Sequence, residues 1–252
     1  MITIKTAEEL KVMREGGKIT AAVLKKVLEA THPGVALSEL EKLANDEILS
    51  RGGEPAFNRV RDYKFATCLN TNEGVVHGLP TDQKLVEGEL LSVDLGTFYK
   101  GFNTDSSWTI YVGDQKKAPK SKIEFLKVGQ KALRRAITQT KVGKQVMDIS
   151  RAMQKVIEQG GYSPVDSLVG HGIGRKLHED PEVPCLVLRN RSPELAAGMT
   201  LAIEVIYTKG SPRLRVEEDG WTASTSDGSL SGLFEHTVAV TDEGPIILTE
   251  RS

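Results

Sequence analysis

Apolar residues at Leu10, Met13, Ile19, Val23, Val27 and Leu28 follow Thr6-Ala7-Glu8-Glu9, in which Thr6 can cap a first turn and Glu9 can close a capping box. The spacing predicts a helix that ends at Thr31-His32-Pro33-Gly34. A second helix is expected from near Ser38, with Glu41 three residues on, through Leu40, Leu43 and Ile48 to Gly52-Gly53. The period then changes. In LLSVDLGTFYKGFNTDSSWTI, from Leu90 to Ile110, Leu91, Val93 and Leu95 alternate with Ser92, Asp94 and Gly96, as in a half-buried strand. Lys100-Gly101 reads as a turn, and the β-prone run after it carries Asp105 at its start.

The second half repeats this order. A helix from about 121 to 139 carries Phe125, Val128, Leu133 and Ile137, and another carries Val146, Ile149, Met153 and Ile157 before Gly160-Gly161. Thr31 and Gly34 recur 109 positions on as Thr140 and Gly143, and EGELLSVD, ending at Asp94, recurs 110 positions on as AGMTLAIE, ending at Glu204. The near-constant offset predicts an α/β (α+β) architecture: a duplicated helix-helix-strand-strand unit whose hairpins face each other across a cleft. Both halves must pack together to make that cleft. The expectation is therefore a single catalytic domain over 1–252, with subdomains of approximately 1–115 and 121–252 joined near Pro119.

A chain of 252 residues, 39% hydrophobic, can bury a large core. Its net charge of -1, with both signs mixed along the chain, gives no nucleic-acid surface. Lys116, Lys117, Lys120 and Lys122 read as a solvated connector. No basic leader precedes an apolar segment, and no run approaches the roughly 20 apolar residues of a membrane span. Cys68 and Cys185 form no CxxC pair, which fits a reducing compartment and a cytoplasmic location.

Chemistry enters with the acids. Asp94 and Asp105 alone would also suit a solvated hairpin, but LAIEVIY adds Glu204 in a strand and GLFEHTVAV adds Glu235 at the start of another. Between them, GHGIGRKLH holds His171 and His178 in a glycine-rich loop. Carboxylates brought together inside a protein repel each other and lose water, and a cation removes both costs. Four carboxylates and an imidazole are enough ligands for two divalent ions, and such a pair favours hydrolysis over redox chemistry. His77, in VVHGLP, and His178 could serve a substrate carbonyl, shuttle a proton, or simply make structural hydrogen bonds. His236 should point away from Glu235 in a strand. No GxSxG elbow appears, so Cys68 reads as a pocket wall rather than a nucleophile, and Trp221 as a pocket wall or a core aromatic.

The motifs EELKVMREGGKI, VVHGLP, VDLG, TDSSWT, GHGIGRKLHEDPEVP, DGWT and FEHTVAVT occur in this order over almost the whole chain. In them the chain resembles the bacterial type I methionine aminopeptidases. The resemblance implies the pita-bread fold and removal of an initiator methionine from nascent proteins, preferentially before a small second residue. A monomer with transient ribosome association and no membrane partner is the expectation for such a chain. Asp94 is implied to chelate one metal, Asp105 and Glu235 to bridge two, and His171 and Glu204 to complete the other side. Cobalt, manganese and iron all suit that set. Glu204 is also implied to exchange a proton with the nucleophile, His178 to contact the scissile carbonyl, and His77 the substrate amide. Tyr63, Cys68 and Trp221 match the methionine pocket.

The chain departs from the pattern at Val205, where a proline is usual, at Leu177, where an aromatic is usual, and at Cys185-Leu186 after PEVP. These changes bear on substrate range and rate. Other readings are another pita-bread aminopeptidase with altered first-residue selectivity or Xaa-Pro peptidase activity, and a non-catalytic binding protein that kept the fold. The lack of a substantial N-terminal domain argues against the larger proline-dipeptidase arrangement, and retention of all five ligands and both histidines against a binding-only protein.

Overall fold

The computed structural model describes residues 2–189 and 192–251. Its helices are α1 (Ala7–Ala30), α2 (Leu37–Ser50), α3 (Lys120–Thr138) and α4 (Val146–Gln159). The capping box of α1 forms as expected, with Glu9 N donating to Thr6 Oγ1 and Thr6 N to Glu9 Oε2. The start of α2 differs. Its cap is Ala36, whose N–H donates to Glu39 Oε2, while Ser38 lies inside the helix and donates to Asp82. Glu41 instead turns inward and accepts from Ala66 N, Thr67 N and the Thr67 hydroxyl, which anchors the start of a strand.

Between α2 and α3 lie β1 (Glu54–Pro55), β2 (Thr67–Thr71), β3 (Gly74–Val76), β4 (Leu90–Tyr99) and β5 (Phe102–Tyr111). After α4 come β6 (Ser163–Pro164), β7 (Val169–Gly172), β8 (Glu179–Pro184), β9 (Thr200–Thr208), β10 (Leu214–Val216), β11 (Ala223–Thr225), β12 (Ser231–Thr241) and β13 (Gly244–Ile247). Ten of these strands form one sheet in the order β1-β4-β5-β12-β9-β7-β8, with β2 also on β4, β6 on β9 and β13 on β12. The remaining three form a small sheet, β10-β11-β3.

The duplication is explicit in the pairing. β1 meets β4 at Pro55↔Thr97 and β6 meets β9 at Pro164↔Tyr207, while Ala36 bridges Lys84 as Gln145 bridges Glu194. α1 packs on β4 and β5, and α3 packs on β9 and β12. Each half has its own apolar core, and Trp108 packs against both. Close approach of α3 depends on Gly129, where a Cβ would lie 2.4 Å from the ring of Phe234. No helix among the described residues is long and apolar enough to cross a membrane.

Candidate metal centre

Strand register places the expected residues on one face of the large sheet. Asp94 lies opposite Ser107, and Asp105 is two residues along the same strand, so both side chains project to the same side. Glu204 lies directly opposite Glu235, and His171, opposite Ala202, shares their face. The acids Asp105 and Glu235 lie in strand interiors rather than at strand starts, because the hairpin ladders extend well past them. His171 likewise belongs to β7 and not to a loop. The glycines around it allow this strand to sit tightly in the sheet: a Cβ at Gly170 would lie 2.5 Å from Ala202 O.

Asp105, His171 and Glu235 are all buried, and each offers a ligand atom within 4.8 Å of the others. Half-buried Glu204 joins them, with Oε1 3.6 Å from His171 Nε2, and half-buried Asp94 is close enough to Asp105 for their charges to repel. Asp94 Oδ1, Asp105 Oδ1 and Glu235 Oε1 are buried without a hydrogen-bond partner, a costly condition for carboxylates. Burial pushes all four acids above the ordinary carboxylate range, and repulsion from Asp105 adds to this at Asp94, Glu204 and Glu235. Burial lowers His171 to about 4, helped by neighbouring His178, so its ring is neutral. His171 Nδ1 must then donate to Gly172 O at 2.8 Å, which leaves the Nε2 lone pair free toward the acids. Oxygen-rich, short of protons' worth of hydrogen bonds and completed by one neutral imidazole, this donor set fits a divalent cation.

Beside the cluster is a cavity of about 200 Å³ lined by Tyr63, Cys68, Leu177 and Trp221 together with Asp94, Asp105, Glu204 and Glu235. The Tyr63 hydroxyl donates to Thr67 O at 2.7 Å and lies 3.2 Å from Cys68 Sγ, while Trp221 meets the Tyr63 ring edge-on at 5.0 Å. Burial pushes the Cys68 thiol well up, which suits a wall and not a nucleophile. Phe57 and Val60 also line the cavity; the sequence reading missed them, although FNRVRDYKF is visibly rich in aromatic residues. An open cleft of about 730 Å³ adjoins, sharing His77, His171, His178 and Glu204 with the cavity.

His77 and His178 are exposed to that cleft, and the rings of His178 and His171 meet edge-on at 4.5 Å. His77 has φ of 59°, a left-handed backbone uncommon outside glycine, which turns its side chain at the end of β3. His236 points to the opposite face, where Nδ1 meets the Thr249 hydroxyl and its ring tilts against Trp108. Among the departures, Val205 is buried opposite Phe234 and Cys185 Sγ donates to Glu204 O at 3.4 Å.

The profile of Metallopeptidase family M24 matches residues 11–242. The methionine aminopeptidase of Clostridium perfringens is 37% identical over 249 residues, covering 99% of each chain. That of Aquifex aeolicus is 39% identical over 259 residues, again covering 99% of each. The crystal structure of the Thermotoga maritima methionine aminopeptidase superposes with a TM-score of 0.95 at 39% identity over the whole of both chains. Likeness of this extent, in sequence and in fold, takes in every strand that carries a candidate ligand, and the chain belongs to metallopeptidase family M24 and, within it, to the bacterial type I methionine aminopeptidases.

Proposed function

We propose that the chain removes N-terminal methionine from peptides and nascent proteins by metal-dependent hydrolysis, preferentially before a small second residue. The observation that carries this reading is the set of unpartnered carboxylate oxygens lining a small, largely apolar cavity that adjoins an open cleft. The cavity suits one flexible apolar side chain, and the acids that line it suit the free amine beside that side chain. Asp94, Asp105, His171, Glu204 and Glu235 would hold two divalent ions, of which cobalt, manganese and iron suit the donors. Such ions supply Lewis acidity at the carbonyl and lower the pKa of water. Because each half contributes two of the four carboxylates, both halves act as one catalytic domain.

The chain's own groups would orient the substrate and move protons. His178, facing the cleft, donates a hydrogen bond to the scissile carbonyl as its oxygen gains charge, and His77 contacts the departing amide. The Glu204 carboxyl, where cavity and cleft meet, exchanges the proton of the attacking water. Tyr63, Cys68, Leu177 and Trp221 hold the methionine side chain, for which a polarizable thioether against aromatic edges is favourable.

A metal-defined kinetic panel of free-amine peptides tests this reading: first residues are varied before alanine, then second residues from glycine to large side chains. Methionine release with a small-second-residue preference is expected, and chelation should abolish it. Undiminished turnover after verified metal removal would refute metal-dependent hydrolysis, and preferential cleavage before proline in non-methionine substrates would favour an Xaa-Pro peptidase. His178→Ala should lower turnover by ~100-fold or more while the protein retains its metals. Equal turnover in that variant would reject the carbonyl role.

A further inference from the structure

The innermost strands of the two halves meet differently from their flanking ladders. β4 and β5 pair along their full length, from Leu90↔Tyr111 to Tyr99↔Phe102, and β9 and β12 pair from Thr200↔Ala239 to Thr208↔Ser231. Between β5 and β12 a single position pairs, Phe234↔Trp108. On each side of it a threonine hydroxyl stands in for a backbone rung. Thr237 Oγ1 accepts from Asp105 N and donates to Asp105 O, both at 2.8 Å. Thr109 Oγ1 accepts from Leu233 N and donates to Leu233 O, again at 2.8 Å. The backbone of Thr237 is engaged elsewhere: its N–H donates to Thr249 Oγ1 and its carbonyl accepts from Leu248 N.

A third hydroxyl makes the arrangement reciprocal. Ser106 Oγ donates to Glu235 O at 2.8 Å. The main chain of Asp105 is thus held by a hydroxyl of β12, and that of Glu235 by a hydroxyl of β5. Directly paired strands approach to about 4.8 Å, and two hydrogen bonds in series through an oxygen need a wider gap. These strands carry the two most buried acids of the cluster, which a direct ladder would press together.

We infer that Thr237 and Ser106 are positioning residues, whose hydroxyls set the separation and backbone orientation of Asp105 and Glu235 and so set the affinity of the site for divalent ions. This rests on the metal site proposed above. Residues that orient metal ligands through hydrogen bonds act on affinity without touching the ion.

The test is a calorimetric titration of Mn2+ into the full-length metal-depleted chain and its variants, with Co2+ absorption as a record of ligand geometry. Thr237→Val keeps the side-chain shape and should weaken binding by ~10-fold or more and shift the Co2+ bands, with Thr237→Ser restoring both. Thr109→Val removes the same two buried hydrogen bonds, at Leu233, and also the 2.8 Å contact of Thr109 Oγ1 with the Ser92 hydroxyl. It should lower the denaturation midpoint at least as much as Thr237→Val does, while binding Mn2+ within ~3-fold of wild type. Wild-type binding by Thr237→Val, or equal losses in the two valine variants, would overturn the inference. Should Thr237→Val fail to fold, Ser106→Ala, which removes one bond to Glu235, decides: weaker binding supports the inference, and unchanged affinity and spectrum overturn it. Wild-type stoichiometry is read in the same titration. One ion per chain would refute the two-ion reading, and the variants would still judge the hydroxyls by their affinity for that ion.

Discussion

Leu177 is the residue at which this chain should differ most from relatives with an aromatic at that position. It lines the cavity with Tyr63, Cys68 and Trp221, and it also packs against a second apolar cluster around Met13 and Ile173. A branched aliphatic chain offers less flat surface to a thioether than a ring does. Leu177→Phe should therefore raise discrimination for methionine over leucine or norleucine by about 1–3 kcal/mol in relative kcat/KM, without changing the hydrolytic step. Unchanged ratios in a folded, metal-loaded variant would remove Leu177 from the selectivity of the pocket. At this scale the acids were legible because a carboxylate inside a β-prone run is conspicuous, and four such runs recur along the chain. Thr109, Ser106 and Thr237 were not, since a hydroxyl in a strand reads equally well as ordinary alternation.

Helix and strand identities largely followed their periods, although His171 lies in β7 rather than a loop, and the start of α2 departs from its spacing where two side chains compete for one role. Ser38 and Glu41 have capping spacing, yet Glu39 takes the Ala36 N–H and Glu41 is drawn to the unpaired N–H groups at Ala66 and Thr67. Only the fold brings those groups within reach. The tie between the N-terminal arm and β8 was equally hidden: Lys5 Nζ, its side chain 1% exposed, lies 2.7 Å from Glu179 Oε2. Burial lowers Lys5 more than pairing raises it, whereas at Glu179 the burial penalty is outweighed by hydrogen bonds from Lys5, Thr3 and Lys176 N, which hold the carboxyl below its usual range. The pair is thus worth little against an apolar replacement, but costly to half-remove. Glu179→Gln should cost about 3–5 kcal/mol at neutral pH, measured by chemical denaturation. A carboxyl with a depressed folded pKa stabilises above its ordinary value of 4.5 and loses that contribution as pH falls through the folded value. The gap between wild type and Glu179→Gln should accordingly close in acid; a gap independent of pH would deny Glu179 its charged role.

For the molecule as a whole, the recurrence of Thr31 and Gly34 at Thr140 and Gly143, and of Asp94 at Glu204, makes the two-fold plan legible in the sequence. How the halves join was not legible, because a repeat reports what each half contains and is silent on the contacts between them. Those contacts also impose an order in time. Asp105 and Thr237 are 132 positions apart, and Ser106 and Glu235 are 129 apart, whereas the Asp94 and Asp105 strands are joined by a two-residue turn. Closing so long a loop is slow compared with forming either hairpin, so each half can gather its own two acids well before the four converge. Metal should then be taken up by a protein that has already folded. Refolding from denaturant should proceed at the same rate with and without Mn2+, while unfolding slows as the ion is added. A refolding limb that accelerates with metal would mean that the ion nucleates the junction, and chains would then compete for metal while still unfolded.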